Sequence, residues 1–166
     1  MTKKNHTLSS ETKMVQALRY LDKDSGAIVP PIQSTATYAR DENYEIKKPY
    51  WYRRDGNETT LHAEKMIAEL EEAAETLLFA SGMSAATAVI DALSPNAHVV
   101  IPKAMYHGVL QQFQAYEAKN RLRISYYTAG NLEELSNAMK SNTSLVWVET
   151  PNNPDWAITD IYKAAN

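Results

Sequence analysis

Four short segments of the sequence carry side chains able to do chemistry. In Ala80-Ser81-Gly82-Met83-Ser84 two hydroxyls flank a glycine where an apolar run gives way to a helical pattern. A helix start presents free backbone N–H groups and the positive end of its dipole, which together suit an anion. Gly82 has no Cβ to hold a phosphate away from the backbone. A turn of small residues between strand and helix serves structure alone equally well, and neither GxGxxG nor GxxxxGK[ST] is present. In Ala104-Met105-Tyr106-His107-Gly108, Tyr106 is placed to stack on a planar ligand or to be an ordinary half-buried member of the ten tyrosines. His107 has no second ligand at metal spacing and reads as a satisfied polar residue before it reads as a catalyst. Glu149-Thr150-Pro151-Asn152-Asn153-Pro154 sets a carboxylate and amides after an apolar run, in a turn held by two prolines. A buried carboxylate needs a partner and an amide there can donate to a ligand oxygen, although asparagines also make local Asx-turns. Tyr52-Arg53-Arg54-Asp55-Gly56-Asn57 joins a phenol to two guanidinium groups, whose planar forks suit phosphate and which, exposed on a loop, also occur as solvated charge.

The positions of these segments follow from the elements around them. Apolar residues at helical spacing predict a serine-capped helix over 10–21, and a second helix after Thr60 has Ala63, Ile67, Leu70 and Ala74 on one face. Between 24 and 57 no period persists, and Pro30-Pro31, Pro49 and the cluster Tyr44, Tyr50, Trp51 and Tyr52 suggest an arm that packs on something, a second subunit included. Four short apolar runs at 76–80, 98–101, 122–127 and 145–148 read as buried strands, separated by helical patterns at 85–93, 109–118 and 132–139. Asn131 followed by Glu134 opens the last of these in the manner of a capping box. Alternation of strand and helix predicts an α/β fold with a mainly parallel sheet and flanking helices. In such sheets ligands collect beyond the carboxyl ends of strands, where the turns at Ser81, Tyr106 and Glu149 fall.

Composition narrows the function classes. The 166 residues are 44% hydrophobic and 22% charged, enough to build one sizeable core. With 20 acidic against 17 basic residues and a net charge of -3, no excess of positive charge is available for nucleic acid. The absence of cysteine removes disulfides, thiolate metal sites and a cysteine nucleophile together and agrees with a reducing compartment. The polar N-terminal stretch is followed by no long apolar run, so no signal peptide or membrane contact is expected, and the cytoplasm is the expected location.

In order and spacing, the four segments together resemble the transsulfuration (Cys/Met-metabolism) family of pyridoxal 5'-phosphate (PLP) enzymes, which includes cystathionine gamma-synthase, cystathionine lyases and methionine gamma-lyase. Residues 52–59 resemble the family's Tyr-x-Arg…Gly-Asn-Pro-Thr stretch, residues 81–85 its Ser/Thr-Gly-Met-Ser-Ala turn, and residues 149–154 its Glu-Ser/Thr-Pro-x-Asn-Pro turn. The resemblance implies a partial fold-type-I (aspartate-aminotransferase-like) large domain over 59–166, preceded by an N-terminal arm over 1–58. It implies that Ser81, Gly82 and Met83 hold the cofactor phosphate and that Tyr52 and Arg54 reach that phosphate from a neighbouring subunit of a homo-oligomer, a dimer of dimers. By the same resemblance Tyr106 stacks on the pyridine ring and handles substrate, Asn153 bonds the ring's phenolic oxygen, and Glu149 supports that network; no metal is implied. Glu58 replaces the usual proline, and His107 stands where glycine is common.

The family's later landmarks have no match in these residues: the aspartate at the pyridine nitrogen, the lysine that forms the Schiff base, and a small C-terminal domain with its arginine. Lys103 lies in a loop yet matches no lysine motif. The expectation is therefore the PLP-binding front part of an enzyme that acts on a small sulfur amino acid by β- or γ-elimination or replacement, inactive as the isolated chain. The alternative is a non-catalytic binding or assembly subunit whose partner chain carries the lysine.

Overall fold

The structure is a computed structural model that describes residues 8–47 and 49–166. Residues 1–7 of the polar N-terminal stretch lie outside that range. Contacts group the chain into two units, 1–78 and 79–166.

In the first unit, α1 (Ser10–Val15) is capped by Ser9, whose hydroxyl accepts from Thr12 N–H. The helix expected to reach residue 21 stops earlier, because Leu18 and Arg19 adopt left-handed φ values of 56° and 59° that no α-helix continues through. The arm has no regular strand but is not shapeless, since antiparallel bridges join Thr37 to Tyr52 and Arg40 to Ile46. Its anchor is the buried Asn57, which donates to Gln33 O at 3.0 Å and to the Tyr38 hydroxyl at 3.3 Å while its own oxygen caps Thr59 N–H. That cap starts α2 (Glu58–Leu70) earlier than the apolar periodicity does. The Tyr50 ring is buried edge-on to Tyr38, and Gly56 lies so close beneath it that a Cβ there would fall 2.4 Å from the ring. Burial, with the neighbouring Glu58 carboxylate next, raises the Tyr50 hydroxyl far above its ordinary value.

The apolar run at 76–80, expected as the first strand, is irregular and exposed. Leu77 is 71% and Phe79 43% accessible, and the Leu78 N–H bonds the Glu64 carboxylate instead of a neighbouring strand. A strand is made by its ladder partner as much as by its own residues, and none of the described residues pairs with this run.

The second unit is a parallel three-stranded sheet in the order β2-β1-β3, where β1 is Ala97–Pro102, β2 Leu122–Tyr127 and β3 Thr143–Val146. Helices α3 (Gly82–Asp91), α4 (His107–Ala118) and α5 (Leu132–Ala138) intervene, and α6 (Ile161–Ala165) follows. Every residue of central β1 is buried, as a strand covered on both faces must be. Val99 and Ile101 pack with Ala86, Ile90, Val109 and Phe113 of α3 and α4, and Val100 packs with Tyr127 and Leu135 of α5. His98 ties the three strands together, its Nδ1 2.8 Å from the Thr143 hydroxyl and its Nε2 2.9 Å from that of Ser125. Asn131 caps Glu134 N–H at 3.0 Å, the bond expected from the sequence at the start of α5. Among the described residues no helix is long and apolar enough to cross a membrane.

Candidate functional site

The site begins at the amino end of α3. Ser81 is extended, its hydroxyl accepts from Ser84 N–H at 3.1 Å, and its carbonyl accepts from Ala85 N–H. The Ala85 bond is the first of the helix's own; of the four amides that a helix start leaves open, the Ser81 hydroxyl takes that of Ser84, and the N–H groups of Gly82 and Met83 remain for an anion. A Cβ built on Gly82 meets nothing within 4 Å, so the space in front of these amides is open.

Ser81, Gly82 and Met83 line a cleft of about 620 Å³ together with Tyr106 and Glu149. Its other wall is apolar, formed by Ala85, Ala86, Val89, Val109 and Trp147, the last held edge-on to Phe113 at 5.5 Å. Tyr106 is the N-cap residue of α4 and stands 48% exposed. Its backbone N–H donates to both Glu149 oxygens at 3.1 Å, and the Asn153 N–H donates to Glu149 Oε1 at 2.9 Å. A single carboxylate thus fixes the loop after β1 to the loop after β3.

The remaining expected residues fall as follows. The Asn153 side chain is exposed, whereas its neighbour Asn152 is buried, donating to Asp155 at 2.8 Å with no partner for its own side-chain oxygen among the described residues. His107 is exposed in the first turn of α4 and is not part of the cleft lining. Lys103 is engaged by Glu134 at 2.9 Å and Thr128 at 3.2 Å; the Lys103 ammonium first, then the Thr128 hydroxyl and N–H that donate to the same carboxylate, lower the Glu134 pKa to about 2. In the first unit, the Arg54 guanidinium lies 4.9 Å from the Tyr52 ring centre, so phenol and cation form one group. Trp147 and Gly108 were not singled out from the sequence. Trp147 was within reach, because it lies two residues before Glu149 on an extended run and period two puts both on one side. Among the described residues no cluster of three or more His, Cys, Asp or Glu is arranged for a metal ion.

The family model for "Cys/Met metabolism PLP-dependent enzyme" matches residues 11–166. This chain belongs to that family. It is 32% identical over 155 residues to a cystathionine gamma-lyase of Dictyostelium discoideum, covering 93% of this chain and 40% of that protein. It is 30% identical over 164 residues to a cystathionine beta-lyase of Coxiella burnetii, covering 98% of this chain and 41% of that protein. The crystal structure of cystathionine gamma synthase from Xanthomonas oryzae pv. oryzae in complex with cystathionine superposes with a TM-score of 0.83 at 31% identity, over 94% of this chain and 40% of that one. The chain therefore spans about two fifths of the length of these relatives. The shared part is the first portion of a fold-type-I large domain, and the family's cofactor is PLP. The Cys/Met-metabolism cleft fits that cofactor on its own geometry. A phosphate dianion needs converging donors and room, which the open amides and bare Gly82 supply, and a flat ring needs an aromatic face at the same cleft, which Tyr106 supplies.

Proposed function

We propose that this chain supplies the phosphate and ring contacts of PLP in an enzyme acting on a small sulfur amino acid, cystathionine or a relative of it, by β- or γ-elimination or replacement. One observation carries the reading: the open amides of α3 and the ring of Tyr106 line the same cleft, and Glu149 braces it. The substrate class is supported by the names of the relatives, one of which was solved with cystathionine bound. When bound, PLP supplies the electron sink for bond breaking at the amino acid.

The chain's own residues do the holding. The Gly82 and Met83 N–H groups bind the phosphate, with Ser81 keeping the helix start open to it. Tyr106 covers one face of the ring and orients it, while Glu149 keeps Tyr106 and Asn153 in register so that the Asn153 amide reaches the ring's phenolic oxygen. Tyr52 and Arg54 act as one unit on the phosphate of a neighbouring copy in a homo-oligomer, a dimer of dimers; their stacked arrangement supports joint action. The protein works in the cytoplasm, in keeping with its lack of cysteine. No lysine of these 166 residues stands in a Schiff-base motif, so they bind PLP without completing turnover.

Equilibrium dialysis with PLP, repeated with inorganic phosphate as competitor, tests this. Saturable binding that phosphate weakens, with no ammonia or thiol released from cystathionine, is the expected result. Failure to bind PLP, or release of product by the purified chain, overturns it.

A further inference from the structure

Gly108 is the second residue of α4, in its first turn, where helix formation itself calls for no glycine. Its φ is not left-handed, so conformational freedom does not account for it. Space does. A Cβ at this position would lie 2.9 Å from Tyr106 Cε1, 3.4 Å from Tyr106 Cζ and 3.2 Å from Met83 Sδ. The Tyr106 ring folds back over the first turn of its own helix onto the bare backbone of Gly108, and the Met83 thioether borders the same spot. We infer that Gly108 is a positioning residue for the cofactor: with the Met83 side chain it forms the seat that sets how far the Tyr106 ring stands over the cleft.

The inference rests on the reading of the cleft as a PLP site and adds to it a link between its two ends. Met83, whose amide is placed for the phosphate, also brings its sulfur beside Gly108, so the helix that starts at the phosphate site borders the place where the Tyr106 ring rests. With alanine at 108, the ring edge must retreat by at least about 0.5 Å, from 2.9 Å to the 3.4 Å where ordinary contact begins. Because the ring is 48% exposed, it can swing outward, so the substitution moves the stacking face and leaves the fold intact.

Two measurements decide it. In protein labelled with 3-fluorotyrosine, the Tyr106 fluorine resonance is identified by its loss in Tyr106→Phe. Gly108→Ala should shift that resonance and leave the other nine tyrosines in place. In PLP titrations, Gly108→Ala should weaken binding roughly tenfold when Tyr106 is present, as overpacking of a tight contact does, and should have no effect in a Tyr106→Ala background. An unmoved Tyr106 resonance overturns the inference. So does PLP binding that is insensitive to Gly108→Ala, or weakened by the same factor in both backgrounds, even though the cleft reading then stands. If the unaltered protein binds no PLP, the cleft reading itself fails and the inference goes with it.

Discussion

Replacing Gly82 with aspartate should push fold stability and cofactor binding in opposite directions. Gly82 is the first residue of α3, where a carboxylate faces the positive end of the helix dipole and contributes about 0.3–1 kcal/mol. The side chain enters open space, since a Cβ at this position meets nothing within 4 Å, so no packing cost offsets that gain. For PLP the same carboxylate occupies the room in front of the two amides and repels the phosphate. One pair of like unit charges about 4 Å apart costs about 4 kcal/mol at an effective dielectric near 20, which is roughly a thousandfold in affinity, and about half that energy under salt screening still leaves roughly thirtyfold. Thermal unfolding and PLP titration of Gly82→Asp beside the unaltered protein read the two effects separately. An unchanged or raised melting temperature with PLP binding weakened at least roughly thirtyfold is expected. PLP affinity within about threefold of the unaltered protein would refute the reasoning, and so would a collapse of the fold.

Three further outcomes follow from the geometry. Glu149→Ala removes the acceptor shared by Tyr106 and Asn153 N–H; bonds to a charged acceptor contribute about 1.5–3 kcal/mol, so a stability loss of about 2 kcal/mol in urea unfolding and PLP binding weaker by roughly tenfold are expected. Burial, and secondly Lys140, lower the pKa of His98, so the unfolded chain binds its proton first. Stability should fall as pH drops below about 6.5, the unfolded value, until the depressed native value is reached; urea midpoints at several pH values should show this in the unaltered protein and lose that component in His98→Gln. Gly56→Ala drives a methyl group 2.4 Å from the buried Tyr50 ring, which has nowhere to swing, and overpacking of that kind costs about 1–3 kcal/mol, read as a lowered urea midpoint.

Much of the site was legible in the sequence because its signals are local. Tyr106 just past β1 and Glu149 just past β3 declare their place by the strand before them and Ser81 by the small-residue helix start after it, and the structure sets all three on one cleft. Features that depend on a distant partner were not legible. The run at 76–80 has a strand's composition but no ladder neighbour among the described residues, so it stays irregular. The early end of α1 is carried by left-handed Leu18 and Arg19, neither a glycine nor a proline, and nothing in their side chains announces it. Asn57 did announce the start of α2, as a capping residue before Glu58, but the apolar period that begins after Thr60 hid it. Gly108 resembles any glycine until the Tyr106 ring is seen lying across it.

The most direct test is to follow the backbone amide resonances of isotope-labelled protein while PLP is added. The largest shifts should fall on Gly82 and Met83, with Tyr106 close behind, as the phosphate meets the open amides and the ring meets the aromatic face. If those three remain still while resonances around Lys103 or other lysines move, PLP is reacting with surface amines and the cleft at the head of α3 is not its site.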